Sequence, residues 1–94
     1  MEIAFEWDQE KAEINTRKHG VTFAEAATAF GDPLSVVLSD PRHSIGEERF
    51  VLFGRSDRSR LLAVMHTERG EKIRIISARL MTPREKREYA EGTS

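Results

Sequence analysis

The feature that most constrains the fold is a series of strand-like runs, each followed by a loop or a turn signal. The runs cover residues 34–40, 49–55, 60–67 and 72–80. The last three are rich in apolar and β-branched residues, which favour strands. Residues 56–59 and a turn at Arg69-Gly70 separate them, and connections this short join antiparallel neighbours. The sequence therefore predicts an antiparallel meander.

Two helices are predicted before this meander. Asp8 is placed to cap a helix over roughly 9–19, and Gly20 follows it as a helix-ending residue. Thr22 and Glu25 have the spacing of a capping box. They indicate a second helix, which should continue to about residue 30.

A short strand and a last helix complete the predicted order. Residues 3–7 alternate in polarity as a half-buried strand does. At 82–85, a threonine, a proline and a glutamate occupy the N-cap, N1 and N3 positions of a helix that runs to about Tyr89. The order βααββββα predicts a single α+β domain over residues 1–94, with an antiparallel sheet packed against the helices.

Turn geometry predicts the register of the sheet. Loops centred on Asp57-Arg58 and on Arg69-Gly70 would make Arg55, Arg60 and Arg79 direct neighbours in one cross-strand row. A three-residue loop at either turn would instead change the parity and scatter the row.

The same register assigns the other charged residues to faces. Arg49 and His66 would share the face of the arginine row, whereas Arg74 would lie on the opposite, mostly apolar face, beneath the N-terminal helices. Neighbouring guanidiniums repel one another, so such a row requires interleaved carboxylates or a bound anion. Both interpretations stay open: arginines paired within the scaffold, or arginines that bind phosphate.

Composition and charge limit the classes of function. The 94 residues include no cysteine, which excludes disulfides and thiolate metal sites. No apolar run has the length of a membrane span and the N-terminus lacks a basic signal region, so we expect a cytoplasmic protein. The net charge is −1, but residues 1–32 carry seven acidic and three basic side chains, whereas residues 67–94 carry five and seven. This polarity favours an anionic partner.

The residue types also exclude several kinds of active site. His19, His43 and His66 lack metal-ligand spacing, so neither a metal nor another cofactor is expected. Asp40 and His43 could form a carboxylate–imidazole pair, or serve only the turn. No serine or threonine lies in a nucleophile motif. An enzyme of this kind would take its nucleophile from the substrate, as RNA allows through its 2′-hydroxyl.

Cleavage of RNA requires a base, an acid and cations that face the transition state. Arg60 and Arg79 are the candidates for contacting the scissile phosphate. His66, as an exposed strand histidine, and Glu48, or its neighbour Glu47, are the candidates for proton transfer. Further candidates for RNA binding are Arg49, Arg55, Arg74 and Lys18.

Three segments carry a resemblance to a known family. They are FEWDQEKAEINTRKHGVTFAEAATAFGDP (5–33), DPRHSIGEER (40–49) and IRIISARLMTPREKREY (73–89). Together they cover nearly the whole chain, and in the same order they resemble the BrnT toxins of bacterial type II toxin–antitoxin systems. The recurrent residues of that family fall here on Trp7, Asp8, Lys11, Asn15, Lys18, His19, Gly20, Phe23, His43, Ser44, Glu47, Glu48, Arg49, Ser77, Ala78 and Arg79. Leu80-Met81 departs from the more basic or small pair expected after Arg79.

The resemblance implies a compact RelE-like fold and a ribonuclease that inhibits translation and growth. It also implies a BrnA-like antitoxin with a ribbon-helix-helix domain, and operator DNA bound only through the toxin–antitoxin complex. Since no metal site is expected, we predict a metal-independent endoribonuclease. The alternative is a non-catalytic module that binds the antitoxin and acts as a co-repressor.

Overall fold

The computed structural model describes residues 3–92. The strands are β1 (Ala4–Glu6), β2 (Val36–Ser39), β3 (Arg49–Arg55), β4 (Leu61–Arg69) and β5 (Lys72–Leu80). The α-helices are α1 (Gln9–His19), α2 (Phe23–Thr28) and α3 (Pro83–Glu91), and short 3₁₀ turns cover Ala29–Gly31 and Pro41–His43. The predicted order βααββββα is confirmed. No helix in this part of the chain has the length and apolar character needed to cross a membrane.

The strands form one five-stranded sheet in the order β1-β5-β4-β3-β2. Strands β2 to β5 are the predicted antiparallel meander. β1 adds a parallel neighbour to β5, with Glu6 opposite Arg74. Parallel strands need a long connection, and α1, α2 and the other three strands lie between these two in the chain.

Local sequence signals set the helix ends. The Asp8 carboxylate accepts a hydrogen bond from a backbone N–H of the first turn of α1, and Gly20 ends that helix with a φ of 70°. This left-handed conformation favours glycine. Thr22 caps α2, and Thr82 forms a complete capping box with Glu85 at α3. The predicted helix starts are therefore confirmed.

The main core lies between the sheet and the layer formed by α1 and α2. Its buried residues are Ala12, Val21, Phe23, Ala26, Ala29, Leu52, Leu62, Val64, Ile75 and Ala78. The layers approach closely at Gly54, where a Cβ would lie 2.7 Å from the carbonyl oxygen of Ala29. A smaller cluster on the other face joins Phe53 and Ala63 to Tyr89 of α3.

The predicted register is wrong at both hairpins. Between β3 and β4 the loop has three residues, and the Ser56 N–H closes it by donating to the Arg60 carbonyl at 2.8 Å. Ser59 supplies the left-handed residue that such a loop uses, with a φ of 61°. Between β4 and β5 the loop is Gly70-Glu71, because Arg69 pairs directly with Lys72.

The shift in register separates the three arginines that were predicted to form a row. Arg55 lies opposite Leu61, Arg79 lies opposite Ala63, and Arg60 lies opposite Ser56, where it closes the loop. The shift also turns β4 over, so that His66, which was predicted to share the face of the arginine row, lies on the helix side with Leu62 and Val64.

Candidate functional site

The sheet face away from α1 and α2, hereafter the open face, carries the candidate site. α3 covers one end of it, where Phe53 and Ala63 pack with Tyr89. Apart from Thr67, which is 1% exposed, the paired residues of the remaining part are exposed or only partly buried, so a ligand can reach them. One row of directly paired residues across its middle consists of Leu38, Val51, Met65 and Ser77.

A charged row lies beside this middle row. It consists of Asp40, Arg49, Thr67, Arg74 and Glu6, each opposite the next. The Asp40 N–H donates to the Arg49 carbonyl at 2.8 Å, which extends the ladder between β2 and β3 by one residue. The prediction that Arg74 lies beneath the helices is wrong, because Arg74 shares this row with Arg49.

Two arginines of the open face are paired with carboxylates from other elements. Arg74 donates to Glu6 at 2.9 Å. Arg79 forms two hydrogen bonds with Glu85, at 2.7 and 2.9 Å, and these bonds lower the pKa of Glu85 although its burial acts in the opposite direction. The arginine side chains remain 27% and 32% exposed, so an anion can approach both.

Arg49 is engaged less completely. Its nearest carboxylate oxygen, from Glu47, lies 3.7 Å away. Its Nε is buried and has no hydrogen-bond partner among the described residues, so the guanidinium is not fully satisfied within the fold. The adjacent Glu48 is exposed, and its backbone carbonyl accepts from the Thr67 hydroxyl at 2.6 Å. At the start of β3, a partly engaged cation thus directly follows an exposed glutamate that has no ion pair among the described residues.

An exposed histidine stands at the end of the charged row. His43 Nδ1 lies 2.9 Å from an Asp40 carboxylate oxygen, and the imidazole is 67% exposed. Ser44 fixes this loop, since its hydroxyl donates to the Asp40 carbonyl and accepts from the Arg49 N–H. The carboxylate–imidazole interpretation of this segment is confirmed in its geometry. An imidazole oriented in this way and open to solvent can transfer protons.

His66 does not lie on the open face. It is 3% exposed and packs between Phe30 and Phe50, with ring centroids 4.9 and 5.7 Å away. Burial lowers its pKa, and a hydrogen bond with the Val64 carbonyl acts in the opposite direction. The prediction of an exposed strand histidine is wrong, because a register shift of one residue moves a side chain to the other face.

Arg60 is bound to the helical layer. Its guanidinium forms two hydrogen bonds with the Glu25 carboxylate and a third with the Gly20 carbonyl. The Glu25 side chain is 3% exposed and also accepts from Ser56 at 2.7 Å. The Arg60 hydrogen bond lowers the pKa of Glu25, and burial opposes this effect. Of the two interpretations of the arginines, pairing within the scaffold fits Arg60.

The two remaining candidates for RNA binding lie outside the charged row. Arg55 is exposed at the end of β3, where Asp32 accepts from its backbone N–H at 2.8 Å. Lys18 is exposed on α1, beside the outer edge of β5. Between residues 3 and 92, no three histidine, aspartate or glutamate side chains are grouped as metal ligands.

Comparison with known proteins identifies the family. A model of the ribonuclease toxin BrnT of type II toxin–antitoxin systems matches residues 7–85. The chain belongs to the BrnT family. Like the BrnT family as a whole, it is a ribonuclease toxin of a type II toxin–antitoxin system, which implies an RNA target and an antitoxin partner.

The fold of a solved BrnT protein is similar. The crystal structure of the ribonuclease toxin BrnT from Brucella abortus matches with a TM-score of 0.67 and 21% sequence identity, over 86% of this chain and 99% of that chain. This similarity confirms the α+β fold that was predicted. A comparison with curated protein sequences found no significant match.

Proposed function

We propose that the open face binds and cleaves RNA, and that the charged row forms its catalytic part. The observation that carries the proposal is that the Asp40–His43 pair lies in one row with Arg49 and Arg74, while the exposed Glu48 directly precedes Arg49 in the chain. A reactive imidazole, a free carboxylate and cations are the groups that phosphodiester cleavage requires.

The nucleophile in this proposal comes from the RNA. Its 2′-hydroxyl attacks the adjacent phosphorus, the bond to the 5′-oxygen breaks, and a cyclic phosphate and a free 5′-hydroxyl result. Of His43 and Glu48, one acts as the base that removes the proton of the 2′-hydroxyl, and the other acts as the acid that gives a proton to the 5′-oxygen. Arg49 and Arg74 stabilise the negative charge that develops on the phosphate oxygens.

The spacing of the arginines suits a nucleic-acid strand better than a single phosphate. Arg49 and Arg74 lie two strands apart, a separation of roughly 10 Å between backbones. Arg79 follows Arg74 by five residues along β5, which is roughly 16 Å. We therefore assign Arg79 to a neighbouring phosphate of the bound strand, which would compete with Glu85 for the guanidinium.

The test compares Arg49→Ala and His43→Ala with a control, Arg84→Ala, whose side chain is 83% exposed on α3. Each of the first two should lower RNA cleavage by about 10²–10³-fold, since each removes a group that acts on the transition state. Arg84→Ala should leave cleavage unchanged. Melting temperatures separate loss of chemistry from loss of fold. Normal cleavage by both site variants would remove the charged row from the mechanism.

We propose further that the reaction needs no divalent metal, because Arg49 and Arg74 supply the positive charge at the phosphate. Cleavage by the purified protein should therefore persist in excess EDTA. Activity that disappears in EDTA and returns with magnesium would contradict this part of the proposal.

In the cell, we infer that cleavage of cytoplasmic RNA inhibits translation and growth, and that a BrnA-like ribbon-helix-helix antitoxin neutralises the protein. Operator DNA would then be bound through the antitoxin. Expression of the chain alone in a bacterium should stop growth and degrade RNA, and expression of His43→Ala should not. A chain that binds its antitoxin but leaves RNA intact would be the non-catalytic co-repressor.

A further inference from the structure

A groove between α1 and the outer edge of β5 lies beside the open face. Side chains from α1 line it at the spacing of one helical stripe, positions 11, 14, 15, 18 and 19, and two residues of β5 face them. Its polar and apolar lining comprises Lys11, Ile14, Lys18, His19, Ile76 and Ser77. Ile14 is 47% exposed, so the groove offers apolar surface as well as charge.

Asn15 lines the groove, but its side-chain amide is occupied by hydrogen bonds to the backbone. β1 ends opposite Arg74, and further along β5 the Asn15 amide takes the place of a strand partner. It donates to the Ala78 carbonyl at 2.9 Å and accepts from the Ala78 N–H at 3.1 Å. Its other N–H donates to the Val21 carbonyl. The Ser77 hydroxyl donates to Asn15 Oδ1 at 3.4 Å, so the donors left for a ligand are those of the lysines and His19.

The cations of the groove differ from the arginines of the open face in having no carboxylate partner. Lys11 and Lys18 are exposed and form no ion pair within residues 3–92. No acidic side chain lines the groove, and Glu13 of the same helix lines a separate depression on another side of α1. Because nothing in the described chain neutralises this charge, the groove suits an anionic ligand.

We propose that the groove is a second phosphate-binding site, which holds the RNA backbone beside the nucleotide that is cleaved. This inference rests on the proposed function of the open face. Ser77 joins the two surfaces, because it pairs with Met65 on the open face while its hydroxyl lies 3.4 Å from Asn15 in the groove. An RNA strand that leaves the open face across Ser77 would therefore reach Lys11 and Lys18 next.

The experiment uses Lys18→Gln and its neighbour Arg17→Gln as a matched pair. Both positions are exposed in the last turn of α1, so both substitutions remove the same charge and the same helix-dipole interaction. Only Lys18 lines the groove. The probe is a fluorescent 2′-O-methyl RNA oligonucleotide, which binds but lacks the hydroxyl needed for cleavage. Its affinity is measured by anisotropy over a series of salt concentrations.

Lys18→Gln should weaken binding about three- to tenfold and reduce the salt dependence by about 0.7 in the log–log slope, the value for one phosphate contact to a single strand. Lys11→Gln should act similarly, and Arg17→Gln should change neither quantity. Cleavage of a dinucleotide, which has only the scissile phosphate, should be equal in all these proteins. Equal effects of Lys18→Gln and Arg17→Gln would overturn the proposal, as would an effect on the dinucleotide.

The failure of this inference can be distinguished from failure of the proposed function. If the unsubstituted protein neither binds the probe nor cleaves RNA, the function of the open face is wrong. If it does both, and the groove variants bind the probe normally, only the groove is wrong. Normal RNA binding with weakened antitoxin binding in Lys18→Gln would assign the groove to the antitoxin and also overturn the proposal.

Discussion

Arg60 and Arg79 show how the burial of a partner decides the role of a charged residue. Each forms two hydrogen bonds with a glutamate, but the side chain of Glu25 is 3% exposed and that of Glu85 is 17% exposed. Removing the guanidinium from a buried carboxylate leaves a charge without compensation. The fold therefore needs Arg60, whereas Arg79 can exchange its more accessible partner for phosphate.

Glu25→Gln tests the structural role of this buried pair. The amide keeps the shape of the side chain but loses the charge-assisted hydrogen bonds, and we expect the free energy of unfolding to fall by about 1–3 kcal/mol. Arg60→Ala should also lower the melting temperature, while RNA cleavage per folded molecule stays near that of the unsubstituted protein. A well-folded Arg60→Ala variant that no longer cleaves RNA would show that Arg60 acts on the substrate.

The same pair makes stability sensitive to acid. Because Arg60 lowers the pKa of Glu25 below its ordinary value of 4.5, the unfolded chain takes up the proton first as the pH falls. The stabilisation is present above pH 4.5 and is lost as the pH falls through the lowered pKa. Urea denaturation should thus show that the free energies of unfolding of the unsubstituted protein and of Glu25→Gln converge below pH 4.5. A constant difference at all pH values would contradict the assignment.

His66 predicts a second pH dependence in a different window. Burial lowers the pKa of His66 below 6.5, so protonation favours the unfolded chain. The free energy of unfolding should fall below pH 6.5 by up to about 1.4 kcal/mol per pH unit, until the lowered pKa is reached. His66→Phe should remove this component and retain RNA cleavage. Loss of cleavage in a stable His66→Phe variant would restore His66 as a catalytic candidate.

At the scale of secondary-structure elements, Asn15 attaches α1 to the sheet by replacing a missing strand at the edge of β5. Asn15→Ala leaves the backbone N–H and carbonyl of Ala78 without their partners, and an unpaired buried group costs about 1–3 kcal/mol. We expect a lower melting temperature and faster hydrogen exchange at the Ala78 amide than in a control, Thr16→Ala. Equal exchange in the two variants would show that water replaces the Asn15 amide without loss.

The hairpin loops are the elements that sequence reasoning described least well. The strands themselves were predicted within a few residues, because their apolar content and turn signals are local. The loop at 57–59 contains no glycine, yet Ser59 adopts a φ of 61°. Serine is not a residue type that predicts a left-handed backbone conformation. That one extra loop residue moved Arg60 and His66 away from the open face.

At the scale of the whole molecule, the open face is the surface where an inhibitor would act. It carries the charged row, and it exposes apolar surface at Leu38, which is 44% exposed. An antitoxin with an acidic and apolar segment can cover both. We therefore propose that neutralisation occurs by occupation of this face.

Arginine modification by phenylglyoxal tests this proposal on the toxin–antitoxin complex. Antitoxin binding should protect Arg49 at least several-fold, whereas the exposed loop residue Arg58 should react equally in the free toxin and in the complex. RNA that competes with the antitoxin should protect Arg49 in the same way. If Arg49 stays fully reactive in an inhibited complex, the antitoxin must act from another surface.

The helices, their caps, the order of the strands and the family could be predicted without the structure, because each of these depends on residues close together in the chain. The sequence also offered the Asp40–His43 pair, since three residues of separation bring the two side chains within reach. Long-range packing was needed to show which of several arginines pairs with a buried glutamate 35 positions away, as Arg60 does. It likewise decided which histidine faces solvent. Both outcomes depend on the register of a sheet, because one additional residue in a loop moves every side chain of the following strand to the other face.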